Sequence, residues 1–105
     1  MSDLNTAEKK IASYQLSLKD IENQVEILCR KYHVQHLYLC GSYAKGTSVK
    51  TSDIDFAVKG CRDFDALNND VQDIMTLKKI DLLDYDHIEN PYLKEDIDMY
   101  HRKIY

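Results

Sequence analysis

"GSYAKGTSVKTSDIDFAV", residues 41–58, is the stretch whose reading decides the fold. At its far end, Ile54, Phe56 and Val58 alternate with Asp53, Asp55 and Ala57, and a period of two is the signature of a strand. Side chains two positions apart in a strand share a face. Ile54, Phe56 and Val58 therefore turn to the core, and Asp53 with Asp55 lie side by side on the other face. Adjacent carboxylates repel each other unless a positive charge stands between them. A divalent cation meets that need, and hard oxygen donors favour Mg²⁺ or Mn²⁺. A solvated edge strand is the plainer alternative, but Asp is depleted in strands and two in so short a run require compensation.

At the near end, Gly41 and Ser42 close the apolar run HLYLC at 36–40, which has strand character with Leu37 and Leu39 on one face. A short helix or turn is expected over Ser42, Tyr43, Ala44 and Lys45 before Gly46. Glycine lets backbone approach a ligand closely, a serine hydroxyl can donate, and the free N–H groups of a helix start favour a phosphate. Gly46, Thr47, Ser48, Thr51 and Ser52 continue a small polar lining, with Lys45 and Lys50 as sources of positive charge. Gly41, Ser42, Lys45 and Ser52 are the candidate nucleotide-phosphate contacts. A Gly-Ser turn by itself is weak, because most are only turns. Tyr43 has two readings, a ring packed in the core or one that stacks on a base or lines the acceptor path.

A two-metal site calls for a third carboxylate, and KIDLLDY at 79–85 offers Asp81, Asp84 and, just beyond it, Asp86. With Ile80 and Leu82 in the core, Asp81 shares the face of Asp53 and Asp55. Asp84 has the opposite parity. Asp81 is the choice, against the plain alternative of a surface acid.

Farther out, the first forty residues hold no Gly and no Pro. Leu4, Ala7, Ile11, Tyr14, Leu18, Ile21, Val25, Leu28 and Tyr32 recur at spacings of three and four, a helical stripe. Ser17 with Asp20 is a capping box, so two helices are expected: an extension over residues 1–17, and a second helix that opens the domain at 18–105. The extension packs on the domain's own sheet or docks on a partner. Phe64, Leu67, Val71, Ile74 and Leu77 predict a helix capped by Asp63. Asn90-Pro91 opens a last helix, marked by Leu93, Ile97, Tyr100 and Ile104. The acidic runs at 63–65 and 95–98 read as caps and solvated helix faces. The expected class is α/β (α+β): a small mixed sheet with helices covering one face.

The composition bounds the function. A 105-residue chain with 44% apolar and 30% charged residues is a single globular domain. No apolar stretch reaches membrane-spanning length, and the first twenty residues lack a secretory signal. A net charge of −4 argues against direct nucleic-acid binding. Cys29, Cys40 and Cys61 form neither a CxxC pair nor an even set, which points to a reducing, cytoplasmic setting. His33, His36, His87 and His101 show no ligand spacing.

Taken together, Gly41-Ser42, ten residues, then Asp53-Ile54-Asp55 resembles the signature of the DNA polymerase β-type nucleotidyltransferase superfamily. Residues 41–58 look like its smallest branch, the minimal nucleotidyltransferases, and KIDLLDYD falls where that family carries its third Asp. The resemblance runs from about residue 18 to 105. Cys40 stands where the family often has Phe, and Lys45 where it often has Arg. The ending DMYHRKIY departs from the usual Glu-Gly turn and short strand. The resemblance implies transfer of a nucleoside monophosphate, usually AMP from ATP, to a hydroxyl. It implies that Gly41-Ser42 holds phosphates and that Asp53, Asp55 and Asp81 bind the metals. Such relatives are often antitoxins that modify a tyrosine of a HEPN ribonuclease toxin, or block it by binding. The chain lacks the toxin's own Arg-x4–6-His signature, since Arg30 and His33 stand too close. So small a domain is expected to share the acceptor with another protein or a second copy, as a hetero- or homo-oligomer. A catalytically weak occluding antitoxin, and a transferase acting on RNA or a small molecule, are the alternatives.

Overall fold

The structure, a computed structural model, describes residues 16–105. The expected extension over residues 1–17 lies outside the described residues except for Leu16 and Ser17. The order is α1 (Leu18–Lys31), β1 (His36–Cys40), α2 (Gly41–Lys45), β2 (Ile54–Lys59), α3 (Phe64–Gln72), β3 (Ile80–Asp84), a 3₁₀ turn (Tyr85–His87), α4 (Pro91–Met99) and β4 (Arg102–Lys103). α1 starts at the expected capping box: the Ser17 hydroxyl accepts from the Asp20 N–H, and the Asp20 carboxylate accepts from the Ser17 N–H. Asp63 caps α3 through the Ala66 N–H, and Asn90 caps α4 with Pro91 in its first turn.

The four strands lie in the order β3-β2-β1-β4. β1 is antiparallel to β2 and β4, and β2 is parallel to β3. Strand parity divides the interior in two. Leu37, Leu39, Ile54, Phe56, Val58, Ile80 and Leu82 face Ile21, Val25 and Cys29 of α1 and Leu67 and Val71 of α3. On the reverse face Cys40 and Ala57 are buried beneath Ile97 of α4. Thus α1 and α3 cover one face as expected, and α4 adds a smaller roof on the other. Ala57 is buried for that reason, although alternation alone would leave it facing solvent.

Two helices end earlier than their spacing suggests. α3 stops at Gln72, and Leu77 is 80% exposed. The chain must return within a few residues to set Ile80 beside Ile54, and the Gln72 side chain fastens the turn by donating to the Ile80 carbonyl at 2.8 Å. α4 ends at Met99, short of Ile104. An edge strand leaves N–H and C=O groups unpaired, and the tail satisfies those of β1. Ile104 N–H donates to the Leu37 carbonyl at 2.8 Å, and Leu37 N–H donates to the Tyr105 carbonyl at 3.0 Å. DMYHRKIY therefore does supply a short terminal strand, and it sends Ile104 and Tyr105 to the main core.

That strand is also tied by charge. Glu22 of α1 is 3% exposed and is met by the Arg102 guanidinium. A buried carboxylate deprived of its partner is costly. Arg102→Met is expected to destabilise the fold by about 2–3 kcal/mol, discounted for the half-exposed arginine. The Glu22→Met/Arg102→Met double variant should recover most of that loss in urea titrations.

Candidate active site

β1 ends where β2 begins, so Cys40 stands opposite Asp55, and Asp55 stands beside Asp81 of β3. Gly41 leaves β1 with a positive φ of 66°, the left-handed region. A Cβ there would lie 2.1 Å from Asp55 Oδ2, so the turn rests directly on that carboxylate. Ser42 follows in the first turn of α2, and its carbonyl accepts from Thr47 N–H at 3.0 Å. The candidate phosphate turn and two candidate metal ligands thus meet at one place. Asp53 precedes β2 and is exposed at the rim.

A pocket of about 340 Å³ opens here, lined by Gly41, Asp55, Asp81, Leu93, Asp96 and Ile97 among others. A larger concavity of about 470 Å³ lies between α1 and α3 and contains none of the motif residues. The site is therefore assigned by its chemistry, not by its size.

Asp55 is pushed up to about 6 from an ordinary 3.8. Burial is the largest cause. The Asp81 charge, a hydrogen bond with Asp81 and the Asp53 charge add to it, and Lys79 opposes them. Cys40 beneath is pushed up to about 12 by burial, helped by Asp55 and Asp96, so it is an inert thiol. The raised Asp55, set beside the Asp81 carboxylate, calls for a nearby positive charge, and the oxygens of the two side chains are the donors Mg²⁺ and Mn²⁺ prefer. The residues fit such an ion. Among the described residues no three His, Cys, Asp or Glu side chains are drawn together into a finished cage. Asp55 and Asp81 form the pair, and Asp53 stands apart at the rim.

The remaining candidates divide. Ser52 Oγ accepts from the Val49 N–H at 2.8 Å and so closes the loop of the motif. The Lys50 carbonyl accepts from Lys78 Nζ at 2.7 Å. Tyr43 packs against the main core, with Lys78 Nζ 5.6 Å from its ring centre. Lys45 does not stand free: its Nζ lies 2.9 Å from Asp96 Oδ1. Asp84 ends β3 and pairs with His87, away from the acidic pair, and Asp86 accepts from Gly60 N–H. Sequence reasoning missed Lys79, whose Nζ is 3.5 Å from Asp81 Oδ1, and the wall formed by α4. The signal for that wall was present: Leu93, Asp96 and Ile97 have the i, i+3, i+4 spacing of one helix face. Asp96 is a pocket residue where the acidic run at 95–98 read as a solvated face.

The family described as polymerase beta, nucleotidyltransferase matches residues 22–105. The chain belongs to that family. It is a minimal nucleotidyltransferase with the polymerase β-type fold, and an enzyme of the nucleotidyltransferase class. Two proteins of Methanocaldococcus jannaschii, each named as a candidate protein adenylyltransferase, are similar to it. One is 33% identical over 76 residues, covering 68% of this chain and 76% of its own. The other is 33% identical over 87 residues, covering 77% and 88%. A chain in a crystal structure of a toxin–antitoxin with AMP-PNP superposes with a TM-score of 0.65 at 25% identity, covering 80% of this minimal nucleotidyltransferase and 72% of that chain. Among the described residues no helix is long and apolar enough to cross a membrane.

Two outcomes test this site. In metal-free nucleotidyltransferase the raised Asp55 contributes stability in full below pH 3.8, lost as pH rises through about 6. In EDTA, Asp55→Asn should flatten that pH dependence and melt several degrees above wild type at pH 7.5. Gly41→Ala forces a side chain into the left-handed region, at about 1–2 kcal/mol, and drives it into Asp55. Thermal melts should fall, and stabilisation by added Mg²⁺ should disappear with them.

Proposed function

We propose that this minimal nucleotidyltransferase moves AMP from ATP to a hydroxyl, a tyrosine by preference, on a HEPN-type toxin protein, and so acts as the antitoxin of a pair in the cytoplasm. The observation that carries the reading is the packing of the Gly41 turn on Asp55, with Asp81 at its side. It brings a turn suited to phosphate within contact of carboxylates suited to a divalent ion. The names of the similar relatives support a protein acceptor, and the similar toxin–antitoxin with its ATP analogue supports both ATP and the antitoxin role.

In the proposed reaction the acceptor oxygen forms a bond to the α-phosphorus of ATP as the bond to pyrophosphate breaks, releasing pyrophosphate and a proton. The backbone at Gly41 and the hydroxyl of Ser42 hold the outgoing phosphates. Asp53, Asp55 and Asp81 would hold Mg²⁺ or Mn²⁺, which when bound neutralises the charge that develops on the attacking and leaving oxygens. Leu93 and Ile97 close one side of the pocket with apolar surface, which keeps water from competing for the phosphorus.

The test is to incubate the protein with ATP, Mg²⁺ and the toxin encoded beside it, then measure the toxin's intact mass. One or more AMP additions are expected, and they should vanish with Asp53→Asn or Asp81→Asn. Full protection from the toxin by those variants, with no mass change in wild type, would replace the reading with occlusion.

A further inference from the structure

Lys45 is one of the motif's two cations, yet its ammonium does not stand free toward the phosphate turn. It meets Asp96 Oδ1 at 2.9 Å, with both side chains only about one-third exposed (33% and 38%). It also lies 5.5 Å from the ring centre of Tyr100, the residue that closes α4. Asp96 lines the same pocket as Asp55 and Asp81. The pocket therefore carries three carboxylates, Asp55, Asp81 and Asp96, while Asp53 stands apart at the rim. Asp53, Asp55 and Asp81 have a use as candidate metal ligands. Asp96 has none, and Lys45 covers it.

We propose that Lys45 serves the site through Asp96: it is a positioning residue that cancels the charge of α4's carboxylate and straps that helix to α2. Lys45 is not itself a ligand of the nucleotide phosphates. The inference rests on the nucleotidyl-transfer reading above and adds a residue role to it. The physical reason is the sign of the charge. A triphosphate entering a pocket with an unpaired Asp96 meets repulsion added to that of Asp55 and Asp81, which a metal ion would already have to offset. With Lys45 in place, Asp96 offers the incoming nucleotide a neutral pair. The strap also has mechanical work. α4 has one buried side chain, Ile97, whereas α1 has four. So lightly anchored a helix depends on its polar contacts to stay against the sheet.

The two roles for Lys45 separate in a double-variant cycle, read as the Kd for AMP-PNP with Mg²⁺ by calorimetry. Lys45→Met leaves Asp96 uncovered and should weaken binding roughly tenfold or more. Asp96→Asn removes the charge and should change binding by no more than about threefold. The Lys45→Met/Asp96→Asn double variant should recover most of that loss, short of Asp96→Asn alone only by the share the strap itself contributes, a large coupling between neighbours. A direct phosphate ligand gives the opposite pattern: the double variant stays as weak as Lys45→Met, which would overturn the inference. Unchanged binding by Lys45→Met would overturn it as well. If Lys45→Met fails to fold, the reversed pair Lys45→Asp/Asp96→Lys takes its place, where restored affinity supports the strap and lost affinity in a folded protein defeats it. A wild type that binds no AMP-PNP overturns the nucleotide reading itself, which keeps the two failures apart.

Discussion

The Cα of Gly41 lies so close to the Asp55 carboxylate that no side chain fits between them. That contact exists because β1 and β2 run antiparallel with Cys40 opposite Asp55, so the exit of one strand meets the entrance of the next. The parallel β3 then sets Asp81 beside Asp55 on the same face. Each relation follows from backbone pairing and not from the acids, which by themselves repel. The hydrophobic face of the sheet, packed on α1 and α3, holds the carboxylates together against that repulsion. The site thus draws on stability made elsewhere, as strained functional centres generally do.

The reverse face is thinner. Cys40 and Ala57 are small, which lets α4 approach the sheet closely enough for Ile97 to be buried. This shallow roof leaves a pocket next to the acids where a deeper core would have filled it. Polar contacts complete the seating of α4: Lys45 with Asp96, and the Tyr85 hydroxyl with Asp98 at 2.6 Å. The helix that walls the pocket is therefore held by charge and hydrogen bonds as well as by burial.

Much of the fold was legible along the chain. The Ser17–Asp20 box, the Asp63 cap, the Asn90-Pro91 start and the alternation around Asp55 all appear where local chemistry predicts. These signals are local, so a single segment contains their whole cause. The two overlong helices show where such signals fail. Leu77 and Ile104 keep the helical spacing, but strand register decides the first and the open edge of β1 decides the second. Both causes lie far away in sequence. Ser52 shows the same limit: the sequence marks a small polar residue in a phosphate-like loop, and only the structure shows that its hydroxyl also accepts from Val49 N–H to close its own turn.

By itself the sequence determined which residues are the candidates for the chemistry. Gly41, Ser42, Asp53 and Asp55 are marked by spacing within eighteen positions, and Asp81 by the parity of its strand. Period and parity are properties of a single segment, so they survive without a fold. The tertiary structure alone decided what those residues touch. It set Gly41 against Asp55, sent Ile97 and Asp96 from the last helix over the acidic face, and turned Lys45 away from a free role to cover Asp96. Lys45 and Asp96 are fifty-one positions apart, and no local pattern joins them. Only the packing of α4 on the reverse of the sheet brings the two charges within 2.9 Å.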